Sequence, residues 1–230
     1  MFQTDPFSLI VIFVGLSLLP FIAMVATSYL KIVVVMSLIR NALGIQSIPP
    51  NMVLNAMAMI LTFFIMAPVC NECWDIVRTE KAAMVQREKT DTPPEKDQPF
   101  YETDIAVKAA EPFKQWLLAH TGDRERSFFV GTAEHLWAKE GEESATVDPE
   151  SFYILIPSFV VSELTKSFQI GFLVYLPFIA IDIIVSNILL AMGMMMVSPV
   201  TISLPFKLLL FVMVDGWTLL IQGLVRSYAV

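Results

Sequence analysis

The sequence predicts an all-α, polytopic membrane-type protein. It would be built of helical hairpins from about four apolar helical stretches, with a hydrophilic helical insertion between the second and third. Three observations carry that reading. From Ser167 to Phe206 the only charged side chain is Asp182, and roughly 20 apolar residues already cross the hydrocarbon layer as a helix. Of the 230 residues, 56% are hydrophobic and only 16% charged, with a mean hydropathy of +0.66, values outside the usual soluble composition. The charge is also segregated: residues 71–150 hold 10 Lys/Arg against 18 Asp/Glu (net −8), and the rest of the chain holds 5 against 4 (net +1). The organisation read from this is 1–70, N-terminal apolar helices with a basic connection; 71–150, an acidic insertion; and 151–230, C-terminal apolar helices with a methionine-rich loop. Nothing resembles a basic nucleic-acid footprint.

Taken in order, Phe7–Ala26 is the first apolar stretch. The preceding MFQTDP contains Asp5 and no Lys or Arg, so it lacks the positive n-region of a secretory signal and the stretch reads as a retained membrane helix. Ile32–Ile39, between Lys31 and Arg40, is too short for a span and extends or bends the first helix into a hairpin. Pro49-Pro50 stops that helix and Asn51 starts the next, because the residue before a proline is pushed out of the α region. Met52–Val69 is the second stretch.

In the insertion, Thr90–Pro99 (TDTPPEKDQP) reads as linker, whereas Ile105–His120 and Ser127–Lys139 show apolar residues at helical spacing. Phe113, Trp116, Leu117, Phe128, Phe129, Leu136 and Trp137 are its candidate satellite core. The third stretch runs from Ser167 to Ile181 and past Asp182 to about Met196. Ser198-Pro199 and Leu204-Pro205 separate it from the fourth, Leu208–Val225, which Asp215 interrupts. Pro20, Pro68 and Pro177 lie in or at the ends of apolar stretches, where neighbouring helices rescue the freed carbonyls. Lys31 and Arg40 in the first connection and Lys207 in the 197–207 connection mark the cytoplasmic side by the positive-inside rule. That places the 71–150 insertion in the periplasm of a bacterium.

Met192, Met194, Met195 and Met196 crowd into MGMMMVSP beside Gly193. Leu or Ile would face lipid with better-defined rotamers, whereas methionine is unbranched and polarizable and moulds to partners of varying shape. Two readings stand: gap-filling in a helix core, or an adaptable surface beside a cavity, where irregular backbone is tolerated at membrane depth. Met52, Met57, Met59 and Met66 read as ordinary packing.

Glu163, Lys166, Asp182, Lys207 and Asp215 lie in or beside apolar stretches, where a charge near mid-membrane costs roughly 2.5–3.5 kcal/mol and normally faces protein or water. They are candidates for pore-lining or intersubunit contacts; Glu163 and Lys166, three apart, also suit a simple mutual pair. Asp182 has no charged residue within a helical turn, so its partner comes from elsewhere. Arg40-Asn41 beside Gly44 reads equally as a hinge or partner contact, or as a helix end anchored at lipid headgroups. Cys70 and Cys73 lack further ligands for a metal and the βαβ context of a redox motif; they read as unpaired thiols at a helix end, or as a local disulfide if periplasmic. No hydrolase or transferase constellation and no phosphate loop is present. The chain therefore reads as non-enzymatic, with no cofactor and no metal.

SLIRNALGIQSIPPNMVL (Ser37–Leu54), IPSFVVSELTKSFQIGF (Ile156–Phe172), LPFIAIDIIVSNILLAMGMMMVSPVTISLPFKLLLF (Leu176–Phe211) and DGWTLLIQGLVRSY (Asp215–Tyr228) together resemble the FliP/SctR family. These are export-gate membrane subunits of flagellar and injectisome type III secretion systems. LTKSFQIGF and SNILLAMGMMMVSP lean toward an injectisome, SctR-type member. The resemblance implies a homo-oligomer in the bacterial inner membrane that assembles with FliQ/SctS-like and FliR/SctT-like subunits and other export apparatus components. Unfolded secreted proteins would pass through the resulting cone, which in the family sits partly above the lipid plane. It also implies that Met192, Met194, Met195 and Met196 form the loop that seals the closed pore. The rival expectation is a secondary transporter for a small solute with Asp182 at its site, but such folds show internal repeats, and none is evident.

Overall fold

A computed structural model describes residues 6–45, 47–89, 101–138, 146–194 and 196–229. Among these the chain is all helical: α1 (Pro6–Val25), α2 (Tyr29–Ala42), α3 (Asn51–Lys89), α4 (Tyr101–His120), α5 (Asp123–Leu136), α6 (Phe152–Ala191), α7 (Pro199–Met213) and α8 (Gly216–Arg226). The four apolar stretches fall in α1, in the first half of α3, in α6 and across α7–α8. The Asn51–Ala83 part of α3 and all of α6 are each long and apolar enough to cross a bilayer. The pair α7–α8, bent by 61°, makes a third crossing if it is one broken span. The linker reading of Thr90–Pro99 lies outside the described residues.

The chain forms two compact units, Met1–Thr62 with Glu163–Val230, and Phe63–Ser162. In the first, the short α2 is the most deeply buried helix: Ile32, Val35, Met36 and Ile39 have at most 1% of their surface exposed. Ile32–Ile39 is thus an independent core helix and not a continuation of α1, from which Ala26–Ser28 separate it. Gly171 of α6 is the point of closest approach to it. A Cβ there would lie 2.3 Å from Leu38 Cδ1, so any larger residue would force the Leu38 side chain to move.

In the second unit α4 and α5 confirm the helical spacing of the insertion. Leu117, Ala133, Ile154, Leu155 and Phe159 form its core with Trp116, whose ring lies 5.2 Å from that of Phe159 and 4.7 Å from that of His120. The Gly122 N–H donates to Ser162 Oγ at 3.1 Å. The satellite core is smaller than expected, because Phe128, Leu136 and Trp137 are exposed. Helical spacing identifies an apolar face without saying whether this chain covers it.

Further differences concern boundaries. Leu204-Pro205 does not break a helix: α7 runs from Pro199 through Pro205 to Met213. One lost backbone bond is outweighed because Ser203, Lys207 and Phe211, four apart, bury along a single face only if the helix is continuous. Lys31 and Arg40 sit within α2 and Lys207 within α7, so none is a loop residue. Cys70 and Cys73 are free and lie inside α3, not at a helix end. Met66 is buried, but Met52 and Met59 are exposed.

Candidate functional site

The α6–α7 hairpin carries the methionine cluster at its tip. At Ala191 the helix ends in a Schellman turn: Met194 N–H bonds Leu189 C=O and Gly193 N–H bonds Leu190 C=O, both at 3.0 Å. The turn requires a left-handed residue, and Gly193 supplies it at φ +73°. Ser198 then adopts extended backbone and Pro199 opens α7 at a first-turn position where its missing N–H costs nothing. Glycine and proline therefore fix where the tip lies. Its side chains do not fold back: Met192 is 66% exposed, Met194 44% and Met196 fully. Met195 lies outside the described residues.

Below the tip, the faces of α6 and α7 meet in antiparallel register. Phe178 and Phe211 are 6.4 Å apart between ring centres. One turn nearer the tip, Lys207 Nζ donates to Asp182 Oδ2 at 2.6 Å, and Ser203 Oγ donates to Asp182 Oδ1 at 2.6 Å. Lys207 also donates to the Ala42 carbonyl at 3.2 Å, capping one of the orphan carbonyls at the end of α2. The partner Asp182 lacked on its own helix is thus Lys207.

A second buried cluster surrounds Glu163, whose side chain is completely inaccessible. Lys31 Nζ lies 3.0 Å from Glu163 Oε2 and 3.8 Å from the centre of the Tyr228 ring. Tyr228 Oη donates to the same carboxylate oxygen. Burial pushes the Lys31 ammonium below the ordinary lysine value, against the pull of Glu163. Burial first, and the Glu163 carboxylate second, push the Tyr228 phenol far above its usual range, so it stays a donor. Lys166 lies 3.4 Å from Glu163 Oε1 and is 40% exposed, an outer partner to an inner pair.

The remaining candidates stand apart from both clusters. Arg40 Nη1 donates to the Pro49 carbonyl at 3.3 Å and to Asn51 Oδ1, bracing the turn from α2 into α3. Asn41 is exposed. Asp215 is exposed at the α7–α8 bend with φ +53°, beside Gly216, where the Phe211 ring leaves no room for a Cβ. Arg40 and Asp215 both line an apolar cavity of about 320 Å³ with Phe211 and Trp217. Among the described residues no group of three or more His, Cys, Asp or Glu is placed to hold a metal.

Sequence reasoning missed Lys31, Ser203 and Tyr228 as site members. Only Lys31 carried a signal, the charge balance: outside the insertion the chain holds nearly equal numbers of acids and bases.

The FliP family pattern matches residues 12–224. The chain belongs to the FliP family. It is 48% identical over 224 residues to the Yop proteins translocation protein R of Yersinia pestis, covering 97% of each chain. It is 46% identical over 221 residues to the hypersensitivity response secretion protein HrcR of Ralstonia nicotianae, covering 96% of each. With the virulence protein YscR of Salmonella typhimurium it shares 44% over 228 residues, 98% of each. The match to the FliP family takes in the hairpin, its methionine tip and both lysine–carboxylate pairs.

Proposed function

We propose that this FliP-family protein is a structural subunit of a type III secretion export gate, of the injectisome SctR type, in the bacterial inner membrane. Copies of it, with FliQ/SctS-like and FliR/SctT-like subunits, form a gated conduit for unfolded protein, and no step of chemistry takes place on this chain. The family membership and relatives named for translocation and secretion support that reading. The observation that carries the gate itself is the tip of the α6–α7 hairpin, where Met192, Met194 and Met196 are held clear of the chain's own core. Large unbranched side chains held in solvent gain nothing for the lone chain. Converging from several copies, with Met195, they would close an apolar bore by keeping it narrow and dewetted, then mould around a passing chain.

The test replaces Met192, Met194, Met195 and Met196 together by alanine in the complex co-expressed with its neighbouring membrane subunits. The expected result is an assembled complex that leaks ions and small solutes. Packing inside a core predicts the opposite, since buried Met→Ala changes cost about 2–5 kcal/mol each and four would abolish assembly. An intact, tight complex refutes the gate.

A further inference from the structure

The gate reading leaves open what holds the methionine tip in place, and the polar rung below it answers that. We infer that Asp182 and Lys207, with Ser203, form a latch that fixes the register of the α6–α7 hairpin and so positions the gate. This rests on the gate reading and adds to it two positioning residues and the element they control.

Geometry supports the role in three ways. First, the rung is symmetric about the tip: nine helical steps of α6 and eight of α7 separate it from the 192–198 connection, about 12–14 Å on either arm. A change at the rung therefore moves both arms of the tip together. Second, it stands between contacts that cannot set register. The buried α6 residues nearer the tip, Val185 and Leu189, are apolar, and apolar burial is non-directional, so such faces slide past one another at little cost. A carboxylate that accepts from Lys207 at 2.6 Å and from Ser203 at 2.6 Å admits one alignment. Buried polar pairs are best attested in that registry role. Third, the latch is tied to the core. Lys207 also holds the Ala42 carbonyl at the end of α2, so the tip takes its position from the most deeply buried helix of its unit.

The Lys31–Glu163–Tyr228 cluster does not share this position. Its carboxylate lies at the start of the α6 segment in this unit, far along the helix from the tip, and its side chain is wholly buried. Asp182 keeps a third of its surface accessible against 4% for Lys207. The latch therefore sits at a seam that can part, and the cluster at Glu163 does not.

The experiment uses the assembled complex, with Cys70 and Cys73 replaced by serine and a single reporter cysteine at Val197 in the tip. Asp182→Asn, Lys207→Met and the exchange of Asp182→Lys with Lys207→Asp are compared for recovery of complex, leak and maleimide labelling rate. The single changes are expected to leave the complex assembled, raise the leak, and change labelling by about tenfold or more, the range that follows loss of a charge-assisted hydrogen bond. The exchange is expected to bring leak and labelling back toward the parent. Single changes with unaltered labelling and a tight complex overturn the latch. So does loss of the complex in every variant, exchange included, which makes the pair a folding element only. The two readings fail separately. A leaking quadruple methionine variant beside a tight Asp182→Asn complex refutes the latch alone. A tight quadruple variant refutes the gate, and labelling at residue 197 still decides the latch.

Discussion

Glu163→Leu is the substitution whose cost the structure fixes most firmly. Glu163 has no accessible surface, Lys31 only 2%, and their charged atoms are 3.0 Å apart. Removing the carboxylate leaves a buried ammonium without its counterion, a change that costs about 3–5 kcal/mol. The Tyr228 hydroxyl loses its acceptor as well, while the Tyr228 ring keeps its cation–π hold on Lys31, worth about 2 kcal/mol when desolvated. The expectation is a loss of about 3–5 kcal/mol. For a chain of this length that lowers the melting midpoint by about 6–20 °C. Replacing both partners, Glu163→Leu with Lys31→Met, removes the uncompensated charge, and such apolar replacements are commonly neutral or stabilising. The double variant should melt within a few degrees of the parent. Tryptophan fluorescence melts of detergent-extracted protein read this out, and the four variants of the cycle give the coupling directly. Additive losses, with the double variant worse than either single one, would refute the pairing.

Three other outcomes follow from local geometry. Gly171→Val should destabilise by about 1–3 kcal/mol through overpacking against Leu38, and Leu38→Ala should recover part of that in the same melt. Gly193→Val should cost about 1–2 kcal/mol for a β-branched residue forced into left-handed backbone, with Gly193→Asn milder; faster amide exchange at Met194 would report the loosened turn. A reporter fused within Thr90–Pro99 should be active as alkaline phosphatase and silent as a cytoplasm-only enzyme, since one apolar crossing lies between Arg40 and the acidic insertion in the chain; strong cytoplasmic activity overturns the topology.

What the sequence disclosed were the features that depend on neighbours along the chain. Gly193 and Ser198-Pro199 announce the tip, because a left-handed turn and a proline-led helix start are local requirements. A lone Asp182 in an apolar run announces that a partner exists. Which partner it is depends on hairpin register, and Lys207 was read as a loop charge because Leu204-Pro205 resembled a boundary. The misreading of Lys31 has the same origin: a cation between apolar stretches looks like a topology marker until its counterion, far away in sequence, is known. Phe128, Leu136 and Trp137 show the converse, helical spacing legible and burial not.

The distances along the chain carry a consequence for biosynthesis. Lys31 and Ser227, which come within 3.5 Å, are 196 residues apart, and Lys207 reaches the Ala42 carbonyl across 165. At about 5–20 residues per second, a nascent α2 waits roughly 10–40 s for the last of its polar partners to leave the ribosome. Phe63–Ser162, contiguous in the chain, is complete well before that. The polar contacts of α2 with the C-terminal helices therefore close late, when Phe63–Ser162 has already been made. For that interval Lys31 lacks Ser227 and Tyr228, although Glu163 has already been made. A stalled or truncated chain lacking Tyr228 would hold Lys31 by Glu163 alone, without the phenol donor and the ring over the ammonium, and would present that half-enclosed pair to the quality-control proteases of the membrane.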